Sequence, residues 1–103
     1  MITENKINSE IIDKIVSLNK EDHDFLKLAE ETTELSEVLI KMVTKPNRKE
    51  ERIGHLIEEL GDVKVRMDIL LQRLNLHKEV DNRYQEKLDY INNNVLTKKY
   101  DNY

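Results

Sequence analysis

Several residue types that other kinds of protein rely on are missing or scarce in this chain. Its 103 residues include no cysteine, two glycines, one proline, one phenylalanine and four tyrosines. Without cysteine there is no disulfide framework, no thiolate zinc site and no thiol nucleophile. With so little glycine and proline, an all-β sandwich, which needs many turns, is disfavoured.

Long apolar runs and a strong positive charge are also missing. No apolar stretch approaches the roughly 18 residues of a membrane span, and the mostly polar start, Met1 to Lys6, precedes no signal-type apolar block. The net charge of −4 gives no electrostatic reason for nucleic-acid binding. We therefore expect a soluble cytoplasmic protein without a membrane or nucleic-acid partner.

The apolar residues recur at helical intervals. This periodicity predicts a single all-α domain over residues 1–103, an antiparallel bundle of about four helices completed by oligomerisation. The helices are expected at about 7–19, 22–44, 48–75 and 78–92, followed by a polar tail at 93–103 that frays. A composition of 38% apolar and 37% charged residues supports only a lean core, so a homo-oligomer, a dimer or a tetramer, is expected.

Local signals suggest where these helices begin and end. Asp22 is a candidate N-cap for the second helix, and Pro46 stops that helix. Asn47, with Glu50 three residues later, resembles a capping box at the start of the third. The connection at Lys45 to Arg48 is short, which predicts an antiparallel hairpin of helices two and three.

Two matched acidic motifs are the most informative feature of the chain. They read Glu30-Glu31-Thr32-Thr33-Glu34 and Glu58-Glu59-Leu60-Gly61-Asp62. Each motif spaces two carboxylates three residues apart, so that both leave roughly one side of a helix. Four carboxylates brought together repel one another unless a positive charge lies between them. The hairpin therefore predicts a cation site.

The helical projection places these carboxylates relative to the apolar stripes. Glu31 falls inside the stripe of helix two and Glu34 at its margin, while Glu59 borders the stripe of helix three and Asp62 lies further round. A carboxylate at a packed position is costly unless it is paired. Oxygen ligands without cysteine or a histidine pair favour Mg²⁺, with Mn²⁺ possible. The alternative, acidic residues on a solvated face, is common for either motif alone.

Two neighbours of the second motif have open interpretations. His55 lies one turn before Glu59 and is either a partner of that carboxylate or an ordinary surface residue. Gly61 either permits the close approach of another helix or a ligand, or is a tolerated glycine at a mild cost.

At these residues the chain resembles the MazG-like nucleoside triphosphate pyrophosphohydrolases. They belong to an all-α superfamily that also includes dimeric dUTPases and phosphoribosyl-ATP pyrophosphohydrolases. The shared signature is Glu-Glu-x-x-Glu, a spacer and Glu-Glu-x-x-Asp, and the resemblance covers roughly residues 25–74. It implies that Glu31, Glu34, Glu59 and Asp62 are catalytic residues that bind Mg²⁺.

The resemblance also implies a reaction and substrate contacts. The expected reaction is hydrolysis of a nucleoside triphosphate to the monophosphate and pyrophosphate, with Mg²⁺ bridging carboxylates and phosphate oxygens. Relatives often use a lysine of the following helix to hold phosphate, and Lys87 is the nearest match. Arg83 is a second candidate. Relatives are dimeric or tetrameric, with active sites near subunit interfaces.

Two other functions are compatible with the sequence. One is a non-catalytic helical interaction or regulatory module that keeps the same fold. The other is a structural dimer in which the acidic motifs pair with basic residues such as Arg48, Arg52 and Arg73 across an interface. Neither alternative predicts Mg²⁺-dependent pyrophosphate release.

Overall fold

The structure, a computed structural model, describes residues 4–96, with side chains for residues 5–94. Four α-helices follow one another: α1 (Glu4–Leu18), α2 (Glu21–Thr44), α3 (Lys49–Leu74) and α4 (His77–Ile91). A 3₁₀ turn at Pro46–Arg48 connects α2 to α3, and a π-helical turn at Asn92–Leu96 follows α4. The expectation of an all-α fold with about four helices is confirmed. Residues 97–103 of the predicted tail lie outside the described residues.

No described helix has the length and apolar character that crossing a membrane requires. Every helix of the described chain carries charged or polar residues along its length.

The predicted cap of α2 was wrong. The N-cap residue is Lys20, which has an extended backbone and makes no side-chain cap hydrogen bond. Asp22 lies instead in the first turn together with Glu21 and Asp24. Negative charge is favourable there because the N-terminal end of a helix carries partial positive charge.

The predicted capping box of Asn47 and Glu50 was also wrong. Residues 46–48 form the 3₁₀ turn, and Arg48 is the N-cap of α3 without a side-chain cap hydrogen bond. Proline has a fixed φ and no N–H group, which suits the first position of a helical turn. Pro46 therefore starts the turn itself, and Asn47 becomes part of it.

The predicted break after α3 is present. Asn75 adopts a left-handed conformation with φ of 55°, and its N–H donates to the Gln72 carbonyl at 3.3 Å. The N–H of Leu76 donates to the Leu71 carbonyl at 3.0 Å. These bonds satisfy the last carbonyl groups of α3 and turn the chain into α4.

The α2–α3 hairpin is antiparallel and has a regular register. Arg52 donates to the carbonyl oxygen of Lys41 at 3.1 Å, and further along the hairpin Glu34 lies beside Glu59. The spacing from Lys41 to Glu34 on α2 equals the spacing from Arg52 to Glu59 on α3. The two acidic motifs therefore face each other across the hairpin.

The apolar core of this bundle is thin. Among the described residues the buried apolar side chains are Val38, Val63 and Ile69. All three belong to α2 or α3, and α1 adds its packing along α3. A core of this size contributes only modest stabilisation.

Arg73 of α3 joins three helices at the end of the hairpin away from the loop. Its Nε donates to Oδ2 of Asp24 on α2, which is 1% exposed. Its Nη2 donates to the carbonyl oxygens of Val16, at 2.9 Å, and Asn19, at 2.6 Å, where α1 ends. A planar guanidinium with several donors suits this convergence of a carboxylate and two carbonyl groups.

The helix α4 projects away from this three-helix body. Its main packing within the described chain is with the π-helical turn that follows it. Val80, Tyr84 and Leu88 form an apolar stripe at four-residue spacing, and all three are exposed. An amphipathic helix of this kind leaves its apolar face without a partner in one copy of the chain.

We predict that Asp24→Asn destabilises the protein by about 3 kcal/mol or more, because it leaves a largely buried guanidinium without its counter-charge. Urea unfolding followed by far-ultraviolet circular dichroism measures the change. Asp22→Asn, an exposed substitution in the same turn, is the control and should change stability by less than about 0.5 kcal/mol. Equal effects of the two substitutions would contradict the role given to Asp24.

Candidate metal centre

The hairpin brings carboxylates of both motifs together. One carboxylate oxygen each from Glu31, Glu34 and Glu59 lies within 4.8 Å of the other two. Glu31 and Glu34 leave the same side of α2 because they are three residues apart, and Glu59 meets them from α3. Three of the four ligands predicted from the sequence therefore share one small volume.

The most buried member of this acidic cluster is Glu59. It is 7% exposed, whereas Glu31 is half-buried. The helical projection had placed Glu31 deepest and Glu59 only at the border of its stripe. The order is reversed because Glu59 faces α2 directly across the hairpin, which a single-helix projection does not include.

Two oxygens of this cluster lack a hydrogen-bond partner in the described part of the chain. They are Oε2 of Glu31 and Oε2 of Glu59, and both are buried. Within residues 4–96 no lysine or arginine forms an ion pair with the cluster. Buried carboxylate oxygens without partners are costly. A divalent cation would supply the missing positive charge, and the oxygen donors of these residues are compatible with Mg²⁺ or Mn²⁺.

Crowding of the carboxylates changes their acidity. The pKa of Glu31 is raised by desolvation first, and then by the negative charges of Glu34 and Asp62. The pKa of Glu34 is raised by desolvation first, and then by the charges of Glu59 and Glu30. Both raised pKa values mean that full ionisation of the cluster is unfavourable when no cation is present.

Asp62, the fourth predicted ligand, lies beside the cluster rather than within it. Its side chain is exposed and is not one of the three whose oxygens converge within 4.8 Å. The negative charge of Asp62 nevertheless raises the pKa of Glu31, so Asp62 lies close enough to the cluster to act on it electrostatically. Its role as a direct metal ligand stays a prediction.

The two neighbours with open interpretations now have positions. Nε2 of His55 lies 3.3 Å from Oε1 of Glu59, so the histidine touches the cluster although its side chain is 56% exposed. Gly61 is exposed, and a Cβ at that position would meet nothing within 4 Å. In one copy of the chain Gly61 is a tolerated glycine.

The predicted substrate residues lie elsewhere. Arg83 pairs with Glu86 at 3.3 Å, and Nζ of Lys87 lies 5.3 Å from the centre of the Tyr90 ring. Both cations border the apolar stripe of α4, and the described contacts of neither involve the acidic cluster. Their role in phosphate binding stays a prediction.

A second group of basic residues was not predicted from the sequence to bind substrate. Lys41, Lys45, Arg48 and Arg52 surround a pocket at the loop end of the hairpin, and His55 lines the same pocket. The clustering of lysine and arginine around Pro46 is the sequence signal that could have indicated this pocket. Arg73, a candidate for pairing with the acidic motifs, is instead bound to Asp24.

No family model, curated protein or solved structure matches the chain. The function of this chain is therefore inferred from the geometry of the site and from the sequence motifs.

Glu31 and Glu34 predict an unusual pH dependence. A carboxyl group with a higher pKa in the folded chain binds its proton more tightly when folded, so stability decreases as the pH rises through that pKa. The metal-free protein should gain melting temperature as the pH falls through the raised pKa values of these two groups towards the ordinary glutamate value of 4.5. Mg²⁺ should abolish this gain by neutralising the ionised cluster. Thermal melts with EDTA and with Mg²⁺ measure both effects.

Glu31→Gln is expected to raise the melting temperature of the metal-free protein at neutral pH and to remove stabilisation by Mg²⁺. Glu37→Gln, on an exposed position of α2, is the control and should change neither property. If Glu31→Gln lowers the metal-free melting temperature, the carboxylates do not repel one another as inferred.

Proposed function

We propose that this protein is a Mg²⁺-dependent nucleoside triphosphate pyrophosphohydrolase that converts an NTP or dNTP to the monophosphate and pyrophosphate. The observation that carries the proposal is the convergence of Glu31, Glu34 and Glu59 from the two motifs, with buried oxygens that lack partners. A Mg²⁺ ion held there by carboxylates would also bind phosphate oxygens, as Mg²⁺ commonly does in proteins.

The reaction needs little covalent chemistry from the protein. A water oxygen forms a bond to the α-phosphorus and the water releases a proton to the solvent. The bond from that phosphorus to the bridging oxygen breaks, and its electron pair leaves with pyrophosphate. Bound Mg²⁺ supplies charge neutralisation at the phosphate oxygens. Glu31, Glu34 and Glu59 hold the site from two rigid helices, and Asp62 adds negative charge at its edge.

The resemblance of the paired motifs to MazG-like enzymes supports the same reaction. Both halves of the signature are present with the required residue types, and the hairpin gives them a common position. Base and sugar preference depend on residues outside this signature, so the proposal extends to NTPs and dNTPs as a class.

We also propose that a second copy of the chain covers the exposed apolar faces. The accessible surface is 8544 Å², whereas a compact monomer of this mass would expose about 6,100 Å². The excess is larger than the roughly 800 Å² per partner of a standard interface. The radius of gyration, 17.2 Å, likewise exceeds the roughly 13 Å of a compact domain of this length.

A second copy also bears on the substrate contacts. Arg83 and Lys87 flank the apolar stripe of α4, so any partner that covers the stripe also orders these cations.

The same exposed apolar faces would also suit the alternative function, a non-catalytic interaction module. It requires the acidic cluster to be incidental to function. Dependence of turnover on Glu59 separates it from the enzyme.

The first test is a screen for pyrophosphate release from common NTPs and dNTPs, with Mg²⁺ or with EDTA. Glu59→Gln should lower turnover by at least about 100-fold, because charge neutralisation by the metal is worth several kcal/mol. The adjacent, exposed Glu58→Gln is the matched control and should retain activity. Mg²⁺-independent turnover, or turnover unaffected by Glu59→Gln, would rule out the proposed centre.

The second test concerns the oligomer. Tyr84→Asp places a charge in the apolar stripe of α4, so it should shift the protein towards monomer in sedimentation velocity. Asn82→Asp introduces the same charge at an exposed position outside the stripe and should leave the distribution unchanged. A wild-type protein that is monomeric at all accessible concentrations would refute the proposed association.

A further inference from the structure

The loop end of the α2–α3 hairpin contains a basic pocket with a volume of about 270 Å³. Its cations are Lys41 and Lys45 from the end of α2, and Arg48 and Arg52 from the turn and the start of α3. Glu51 is the one carboxylate among the lining residues. In a chain of net charge −4, this is a local reversal of sign.

Helix stability does not account for all of these cations. Lys41 in the last turn of α2 interacts favourably with the negative end of that helix. Arg48 and Arg52, however, lie at the N-terminal end of α3, where the helix dipole disfavours positive charge. Arg52 is held in place by its hydrogen bond to the Lys41 carbonyl, 3.1 Å long, which leaves other donors of its guanidinium for a ligand.

The basic pocket adjoins the acidic cluster. His55 lines the pocket, and its Nε2 is 3.3 Å from Oε1 of Glu59 in the cluster. One turn of α3, a rise of about 6 Å, separates the two residues. A site that attracts a cation therefore lies directly beside one that attracts an anion, both on one rigid hairpin.

We propose that the basic pocket binds the two outer phosphates of the nucleoside triphosphate, and hence the pyrophosphate product. This inference rests on the proposed function, and it adds the direction in which the substrate lies. The outer phosphates carry most of the charge of the triphosphate, and they match the four cations. The α-phosphate then lies over the acidic cluster, and the nucleoside points away from the loop.

The binding experiment uses inorganic pyrophosphate as the probe, in the presence of Mg²⁺, and isothermal titration calorimetry on the full chain. The double variant Lys45→Ala/Arg48→Ala should weaken pyrophosphate binding by at least about tenfold, the usual loss for a charge-assisted hydrogen bond. Lys14→Ala/Lys78→Ala removes the same total charge from α1 and α4 and is the matched control, expected to bind within about twofold of wild type.

The Mg²⁺ concentration at half-maximal thermal stabilisation should be the same in the double variant and in the wild type, because the acidic cluster is unaltered. Circular dichroism melts give this value and establish that both variants fold. Equal pyrophosphate affinity in the double variant and the wild type, or no binding to the wild type, would overturn the proposal.

Kinetics separate this proposal from the proposed function. With an active protein, the double variant should raise KM and the inhibition constant of pyrophosphate by at least about tenfold, while the control leaves both unchanged. If the double variant turns over nucleotide with both constants unchanged, the phosphate-binding role of the pocket is refuted and the proposed enzymatic activity is not. Pyrophosphate binding that depends on Lys45 and Arg48 without turnover of any nucleotide would refute the enzyme and leave the pocket standing.

Discussion

The antiparallel register of α2 and α3 is the constraint on which the rest of the structure depends. Facing residues step along the hairpin in matched intervals, from Lys41 and Arg52 near the loop to Glu34 and Glu59. The 3₁₀ turn at Pro46–Arg48 fixes one end of this register, and Arg73 bound to Asp24 fixes the other. A shift of one residue would turn the two acidic motifs to different sides, since each residue rotates a helix face by about 100°.

This register places the acidic cluster beside the basic pocket on one hairpin. The apolar core of the same hairpin is small. The acidic cluster raises the pKa of Glu31 through desolvation and like charge, so the folded chain holds a charge arrangement that opposes its own stability. The contacts of Arg73 add polar constraints on how α1, α2 and α3 are arranged. The metal and the second copy of the chain proposed above would each remove part of the remaining cost.

Local sequence determined the helices because helix formation depends on short-range patterns. Apolar periodicity located four helices, and Pro46 and Asn75 marked two of the three interruptions between the described helices. The predicted caps at Asp22 and Asn47 were wrong. Lys20 is the N-cap of α2, and Asn47 lies within the 3₁₀ turn. Cap preferences are worth only about 1 kcal/mol, and neighbouring backbone geometry overrides them.

The paired motifs by themselves predicted a cation site formed by four carboxylates, those of Glu31, Glu34, Glu59 and Asp62. Only the tertiary structure decided that Glu59 is the deepest of them, that Asp62 stands outside the cluster, and that His55 links the cluster to a basic pocket. Depth and contact between helices depend on how two faces meet, and the projection of a single helix contains no information about its partner. Residue types and spacing are thus properties of the sequence, whereas burial and juxtaposition are properties of the packed hairpin.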